Sequence, residues 1–443
     1  MAVARRSVDV LVVGAGPAGS ACASHLARAG LEVLVLEKAQ FPRDKVCGDG
    51  LTPRAVGELI RLGIVPSALG WARNRGLRIH VGRRHYAMPW PDLIDQPGFG
   101  LTVKRRVFDQ FLAGHAVGQG AEIDFGANVV APLWHGSRVS GVQLRDGRRF
   151  QAPVVVAADG NASRLAVAAG RNRLSTRLLG VAVRSYINRG NANADWLESW
   201  LELWDGPAGH SHLLPGYAWS FPLPDGQANV GLGLPDADRY RGVDLRSLLR
   251  TWLANPLTAR QLLGIQSDQL SISQSGANAQ AQRSGDSAMA PLLIEPIRGA
   301  ALPMGFNRRP AYAAGLMLVG DAVGAINPFN GEGISYAMES GRMAAESIIS
   351  AHGRGLVGRR ADRILDAYNQ QLRREWGGYF WLGTHFQRLI EHPTLMRLAA
   401  HWALPIAPVR QLTHRLLAHL IDYPGHDGYD RLLNLLIRLA PKA

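Results

Sequence analysis

Cys47, one of two cysteines in the chain, stands in FPRDKVCGDGLTPRAV (41–56), two residues after Lys45 and flanked by Gly48 and Gly50. Thr52 suits an N-cap and Pro53 a first helical position, so residues 47–50 form a loop entering a helix. A nearby ammonium group and a helix N-terminus are surroundings that lower a thiol pKa from about 8.5. Cys22 falls on the packing face of the first expected helix and is read as buried and inert. With two cysteines, no CxxC and no Cys/His cluster, neither a disulfide framework nor a metal site is expected, and a reducing cytoplasm is.

A second constellation is Gly14-Ala15-Gly16-Pro17-Ala18-Gly19, which follows an apolar strand and opens a helix. Bare backbone there can approach a pyrophosphate at the positive end of the helix. Glu37 closes the next strand, 23 residues after Gly14, where a carboxylate can accept from ribose hydroxyls. The register of strand, helix and acid points to a bound dinucleotide. Asp159-Gly160 and Gly320-Asp321 end two later apolar runs in VVVAADGNASRL (154–165) and GLMLVGDAVGAINPFNGEGISYAMESG (315–341). No second GxGxxG follows a strand, so a separate nicotinamide domain is not expected.

These groups need elements to hold them. The N-terminal stretch reads as a buried strand (8–13), a helix (about 17–29) stopped by Gly30, and a strand (32–37), a βαβ unit. At 443 residues the chain exceeds one core. Residues 76–99 and 179–284 carry the aromatics and short alternating runs of an antiparallel sheet. That sheet is inserted into an α/β body formed by 1–75, 100–178 and 285–350, with a helical region over 351–443. In that last region Leu412, Leu416, Leu420 and Ile421 share a helical face, and the leucines of YDRLLNLLIRLAPKA surround a helix, which favours packing against the body.

Net charge is +14, from 49 Lys plus Arg against 35 Asp plus Glu, which biases the surface toward anionic partners. No nucleic-acid module accompanies it, and only four of the 49 are lysines, a bias that a GC-rich genome also produces. No uncharged apolar stretch reaches the roughly 18 residues of a membrane span. The N-terminal apolar run is broken by Asp9 and leads into the glycine motif, so no leader cleavage is expected.

The three glycine–acid motifs, with Val103, Arg105, Phe108 and Asp109 of VKRRVFDQFL, resemble the flavoprotein monooxygenase superfamily. Within it, FPRDKVCGDGLTPRAV and YAWSFPLPDGQANVGLG (217–233) resemble the geranylgeranyl reductase family, whose cysteine sits beside the flavin and whose YxWxFP precedes a GxG. VAVRSYI, ALPMGF (301–306) and NPFNGEGISYAMESGR look closest to its bacterial menaquinone reductases. The resemblance implies a Rossmann-like FAD-binding domain, with FAD held by Gly14, Gly16, Ala18, Gly19, Glu37, Lys38, Cys47, Gly48, Arg105, Asp159, Gly320, Asp321, Pro328, Gly331, Gly333 and Ile334. Glu37 would hold the adenosine ribose, Arg105 and Asp321 would lie along the diphosphate and ribityl chain, and Gly331 and Gly333 would let backbone approach the isoalloxazine.

Tyr217, Trp219 and Phe221 alternate on one strand face, and Pro224-Asp225-Gly226 is a turn signal. A two-residue turn would pair Trp219 with Leu232. A bulge at Gly226 would instead pair Trp219 with Gly231 and Tyr217 with Gly233. Both registers stay open, and both give an apolar wall suited to a polyprenyl chain. Tyr217, Trp219, Phe221, Pro222, Gly231 and Gly233 are the expected substrate-binding residues.

The implied activity is saturation of isolated C=C bonds in an isoprenoid lipid, with hydride from reduced FAD and a proton donated or positioned by Cys47, assisted by Lys45. NAD(P)H docking transiently, or another donor, would reduce the flavin. A lipid substrate, the basic surface and the C-terminal helices imply peripheral contact with anionic lipid on the inner face of the cell membrane. The alternative is a monooxygenase or halogenase on the same scaffold, although YAWSFP departs from the halogenase WxWxIP at two positions.

Overall fold

The computed structural model describes residues 6–189, 195–206, 210–235, 239–263 and 293–443. The expected sheet residues 264–284, and 285–292 of the expected body, lie outside that set. Val10–Val13 and Val33–Glu37 pair in parallel, and the run between them forms the helix Pro17–Arg28. Both strands are buried at every position, as a parallel strand covered on both faces requires. The sheet runs in the order Tyr312–Ala313, Leu316–Leu318, Val154–Ala157, Val10–Val13, Val33–Glu37, Glu122–Phe125, parallel except at its first pair. The three acid–glycine motifs therefore emerge together at the C-terminal ends of adjacent strands, where open α/β sheets bind ligands.

The second sheet is ordered Arg298–Pro303, Leu179–Asn188, Gln227–Leu234, Tyr217–Pro222, Trp196–Trp200, Gly76–Val81, Arg84–Pro89, and is antiparallel except between Trp196–Trp200 and Gly76–Val81. Its hairpin takes the bulged register: Trp219 pairs with Gly231 and Tyr217 with Gly233. Leu223 N–H donates to Gln227 C=O at 2.8 Å, closing a three-residue loop with Gly226 at φ +72°, left-handed backbone that glycine adopts without strain. Ala218, Val230 and Leu232 face the other way, onto a core closed by Leu248, Leu249 and Trp252 of the helix Leu245–Ala254.

The helix Arg359–Ile390 buries Trp376, Tyr379 and Phe380 against the body. Pro393–Ala403, Ala407–Ala418 and Gly428–Leu439 follow. The second of these stops at His419, whose φ is +51°, so Leu420 and Ile421 do not continue its face as the sequence pattern implied. Packing of the last helix is also narrower than expected. Leu433 is buried, while Leu432, Leu435, Leu436 and Leu439 are 43–74% exposed. Among the described residues no helix is long and apolar enough to cross a membrane.

Candidate active site

One cavity of about 1180 Å³ runs from the glycine loop, under the antiparallel sheet, to the C-terminal helices. It exceeds the roughly 300–1,000 Å³ of an ordinary small-molecule site. Its polar end is built by the parallel sheet. Gly14 stands at φ +103°, and a Cβ there would lie 2.5 Å from the Ala158 carbonyl oxygen, so no side chain fits. Gly16 caps the helix Pro17–Arg28 without a side-chain hydrogen bond, leaving first-turn N–H groups for an anion. Glu37 is clamped at the strand end by the N–H groups of Ala15 (2.8 Å) and Ala39 (2.9 Å). Arg105 makes a two-point pair with Asp109 (2.7 and 2.8 Å), which also holds Arg43 at 3.1 Å.

Cys47 borders the middle of the cavity, and its surroundings differ from the sequence expectation. Burial pushes its thiol pKa up; Arg105 opposes this, and the Asp49 carboxylate adds to it. Lys45 lies 3.8 Å from Asp321, and the charges acting on the thiol are those of Arg105 and Asp49. The loop is held instead by Asp49, fully buried at φ +66°. Its Oδ2 accepts from the Tyr186 hydroxyl (2.7 Å) and Asn229 Nδ2 (2.8 Å), and its Oδ1 from Arg105 N–H (3.1 Å). Asn229 Nδ2 also donates to the Cys47 carbonyl (2.8 Å), while its Oδ1 accepts from Trp219 Nε1 (2.9 Å). The aromatic strand and the cysteine loop are thus one hydrogen-bonded unit.

Trp219 lies over Gly231, where a Cβ would come within 2.3 Å of the indole. Tyr217 does not cover Gly233: its hydroxyl donates to the Asn330 carbonyl at 2.5 Å. Beyond these rings the lining turns apolar, with Leu77, Ile79, Leu197 and Leu201 of the sheet facing Leu395, Met396, Ala399 and Leu404 of the C-terminal helices.

A family model described as the FAD binding domain matches residues 7–201. The chain is 35% identical to the menaquinone reductase of Mycolicibacterium smegmatis over 431 residues, 96% of this chain and 94% of that protein. It is 31% identical to digeranylgeranylglycerophospholipid reductase 1 of Methanopyrus kandleri over 352 residues, 77% of this chain and 80% of that one. The chain belongs to the menaquinone and geranylgeranyl reductase family. It is an FAD-dependent oxidoreductase. A geranylgeranyl bacteriochlorophyll reductase-like protein from Thermoplasma acidophilum shares its fold, with TM-score 0.73, 22% identity, and coverage of 98% of this chain and 100% of that one. A flavin-dependent brominase does so at TM-score 0.67 and 20% identity.

In this reductase the cavity brings together Gly14, Gly16, Ala18, Glu37, Lys38, Lys45, Cys47, Gly48, Arg105, Asp159, Asp321, Gly331, Gly333, Ile334, Tyr217, Trp219, Phe221 and Gly233. Gly19, Gly320, Pro328, Pro222 and Gly231 stand behind that lining; a Cβ on Gly19, for example, would lie 1.9 Å from the Gly14 oxygen. Asp159 also caps a short helix, accepting from Ser163 Oγ (2.6 Å) and Leu165 N–H (3.2 Å). Sequence reasoning missed Asp49, Tyr186, Asn229 and Glu332. Each lies inside a quoted motif, and Asn229 shares the alternating face of Gly231 and Gly233, a polar residue on an expected ligand face.

Proposed function

We propose that this protein saturates isolated double bonds in the isoprenoid chain of a lipid, a menaquinone or a geranylgeranyl compound. The observation that carries the reading is one continuous cavity whose bare glycine backbone suits a dinucleotide and whose far end offers aliphatic and aromatic walls with few hydrogen-bonding groups. The relatives' names support the same substrate class. Bound FAD, once reduced, supplies hydride to the alkene. The glycine loop and the start of the helix Pro17–Arg28 would hold its diphosphate, Glu37 its adenosine ribose, Arg105 and Asp321 its linker, and backbone at Gly331, Gly333 and Ile334 its ring. Tyr217, Trp219 and Phe221 press the chain flat and exclude water, with Gly231 giving the indole its seat. NAD(P)H or another donor would supply the electrons from outside.

Cys47 enters this proposal as a neutral thiol, because burial favours S–H over the thiolate. Its work is positioning beside the ring. Cys47→Ala is expected to give folded, yellow protein in which alkene reduction slows by less than the about 10²- to 10⁴-fold that loss of a general acid brings. The test of the function itself is anaerobic: pre-reduced protein mixed with a polyprenyl quinone should yield, after the head group is reoxidised to the quinone, a product heavier by one H₂ in its isoprenoid chain. A monooxygenase or halogenase would leave the lipid unchanged until oxygen enters, and a lipid carrier would leave the flavin reduced.

The chain reaches the cavity from an anionic membrane surface. Leu395, which lines the cavity, is 48% exposed, and Leu398 (50%) and Trp402 (76%) share its face of the helix Pro393–Ala403. Arg397 flanks that face, and the net charge of +14 complements anionic lipid. The double variant Leu398→Glu/Trp402→Glu should lose co-sedimentation with phosphatidylglycerol vesicles and raise KM for vesicle-borne substrate. Unchanged binding would remove this surface from the proposal.

A further inference from the structure

Among the described residues, the apolar arm of the cavity carries no charge. Every lining residue supplied by the strands Gly76–Val81 and Trp196–Trp200 and by the helices Pro393–Ala403 and Ala407–Ala418 is neutral, whereas Glu37, Arg43, Lys45, Arg105 and Asp321 line the cofactor end. A phosphate drawn into the arm would shed its hydration with no cation to replace it, at high cost. An uncharged head group would not. One end of the arm packs Trp90 and Leu197 on Ala418 and is buried. At the other, Ile79 and Leu201 meet Ala400 and Leu404, and Leu395 is half exposed.

One hydroxyl interrupts that wall. Leu197, Ser199 and Leu201 alternate on the cavity side, and Ser199 pairs across the sheet with Trp219 on one side and Ile79 on the other. Ser199 is 7% exposed, and its hydroxyl has no hydrogen-bond partner among the described residues. Other serines in the strands of this sheet are engaged: Ser185 Oγ donates to the Glu295 carbonyl, and Ser220 Oγ accepts from Arg189 Nη1 at 3.0 Å. Thr413, another hydroxyl of the arm, lies in a helix, where threonine can bond a carbonyl one turn back. Glu332 Oε1 is taken by the Thr52 and Ser335 hydroxyls, both at 2.7 Å. Glu332 Oε2 and Gln387 Oε1 are unpaired but have no accessible surface, whereas the Ser199 hydroxyl is open to the cavity.

We infer that Ser199 is a specificity determinant whose hydroxyl donates a hydrogen bond to an uncharged head-group oxygen of the lipid, and so fixes which double bond stands against Trp219. The inference rests on the reductase reading above. An aliphatic wall holds an isoprenoid chain equally well in registers one unit apart, because every unit offers it the same methyl-branched surface. A single polar contact breaks that equivalence, since any other register leaves a buried hydroxyl and a buried acceptor unpaired. The head group then lies within the arm, and the rest of the chain leaves past Leu395 toward the membrane.

The experiment gives a menaquinone or geranylgeranyl diphosphate to pre-reduced wild type, Ser199→Ala and Ser199→Thr, and locates the saturated bond by tandem mass spectrometry after the quinone head is reoxidised. Wild type should saturate menaquinone at one position and prefer it to the diphosphate. Ser199→Ala should raise KM for menaquinone by about 2- to 10-fold, the loss of one neutral hydrogen bond, with a smaller change in kcat, and should spread saturation over neighbouring bonds. Ser199→Thr, which keeps the hydroxyl, should restore the single position. Independently of turnover, squalene, a polyisoprene with no head group, should quench tryptophan fluorescence of wild type and Ser199→Ala with equal affinity, and urea unfolding of the two flavin-free proteins should coincide, because the hydroxyl holds nothing in the empty arm. Ser199→Ala with wild-type KM and an unchanged single position, or wild type that takes the diphosphate as readily as the quinone, overturns the inference. Wild type that makes no chain-saturated lipid at all overturns the function reading and the inference together, and so is told apart from failure of the inference alone.

Discussion

Gly231→Leu is expected to lower alkene reduction by about 100-fold or more, the loss that follows displacement of a reacting group by about 1 Å. A Cβ at this position would stand 2.3 Å from Trp219 Cζ2 and 2.4 Å from the Val183 carbonyl oxygen. The first neighbour is a ring that can swing, but the second is backbone of the adjoining strand, so relief requires the sheet to part or the indole to leave its seat. Either movement reaches the site. Trp219 Nε1 holds Asn229, and Asn229 holds both the Cys47 carbonyl and Asp49. Phe221 follows, because it packs against Gly48, where a Cβ would come within 2.9 Å of its ring. The parallel sheet has its own core, so the variant should still bind FAD and look yellow. The rate at which the pre-reduced variant forms chain-saturated quinone, read by mass after the head group is reoxidised, measures the effect. Wild-type rates would mean that the indole does not set the chain against the ring.

Much of this arrangement is legible in the order of residue types, and the reasons are local. The βαβ unit announces itself because a strand buried on both faces, a bare glycine turn and a terminal acid leave few alternatives. The aromatic strand is equally plain, since period-two spacing needs no tertiary context. Hairpin register was open because Pro224-Asp225-Gly226 can make either a two-residue turn or a bulge, and the choice falls to packing between distant groups: a glycine under the indole, and Asn229 under the cysteine loop. The acidity of Cys47 was misjudged for a related reason. Sequence neighbours gave it Lys45 and a helix start, whereas in the fold Lys45 lies 3.8 Å from Asp321 and burial raises the thiol pKa against the pull of Arg105. Glu332 and Asp49 sit inside visible motifs, yet nothing in GEG or GDG tells which carboxyl oxygen will find partners. The C-terminal leucines deceived most, because a helix ringed by leucine looks like core until one knows how little of the body it touches.

Asp49→Ala should be the most damaging single change to stability around the site, costing about 3 kcal/mol or more, since each buried donor left unpaired costs about 1–3 kcal/mol. The donors are Tyr186 Oη, Asn229 Nδ2 and Arg105 N–H, and the residue's φ of +66° suits aspartate or asparagine better than alanine. Asp49→Asn keeps the turn and isolates the charge. Burial lifts the Asp49 pKa from an ordinary 3.8 to about 6 against the pull of its three donors. The folded chain therefore binds that proton more tightly than the unfolded chain, so the group's contribution to stability is fully present below about pH 4 and drains away as pH rises through about 6, by about 3 kcal/mol in all. Asparagine has no such dependence. The unfolding free energy of wild type minus that of Asp49→Asn, from urea titrations of flavin-free protein, should thus decline between pH 4 and pH 7 and level off above it. A difference that rises with pH, or stays flat, would mean that the three donors outweigh burial and that Asp49 is ionised throughout. The same carboxylate carries the cysteine loop, so Asp49→Ala should also slow reduction more than Cys47→Ala does: the alanine at 47 removes one thiol, whereas the alanine at 49 frees Tyr186, Asn229 and, through them, Trp219 from the positions that hold the chain.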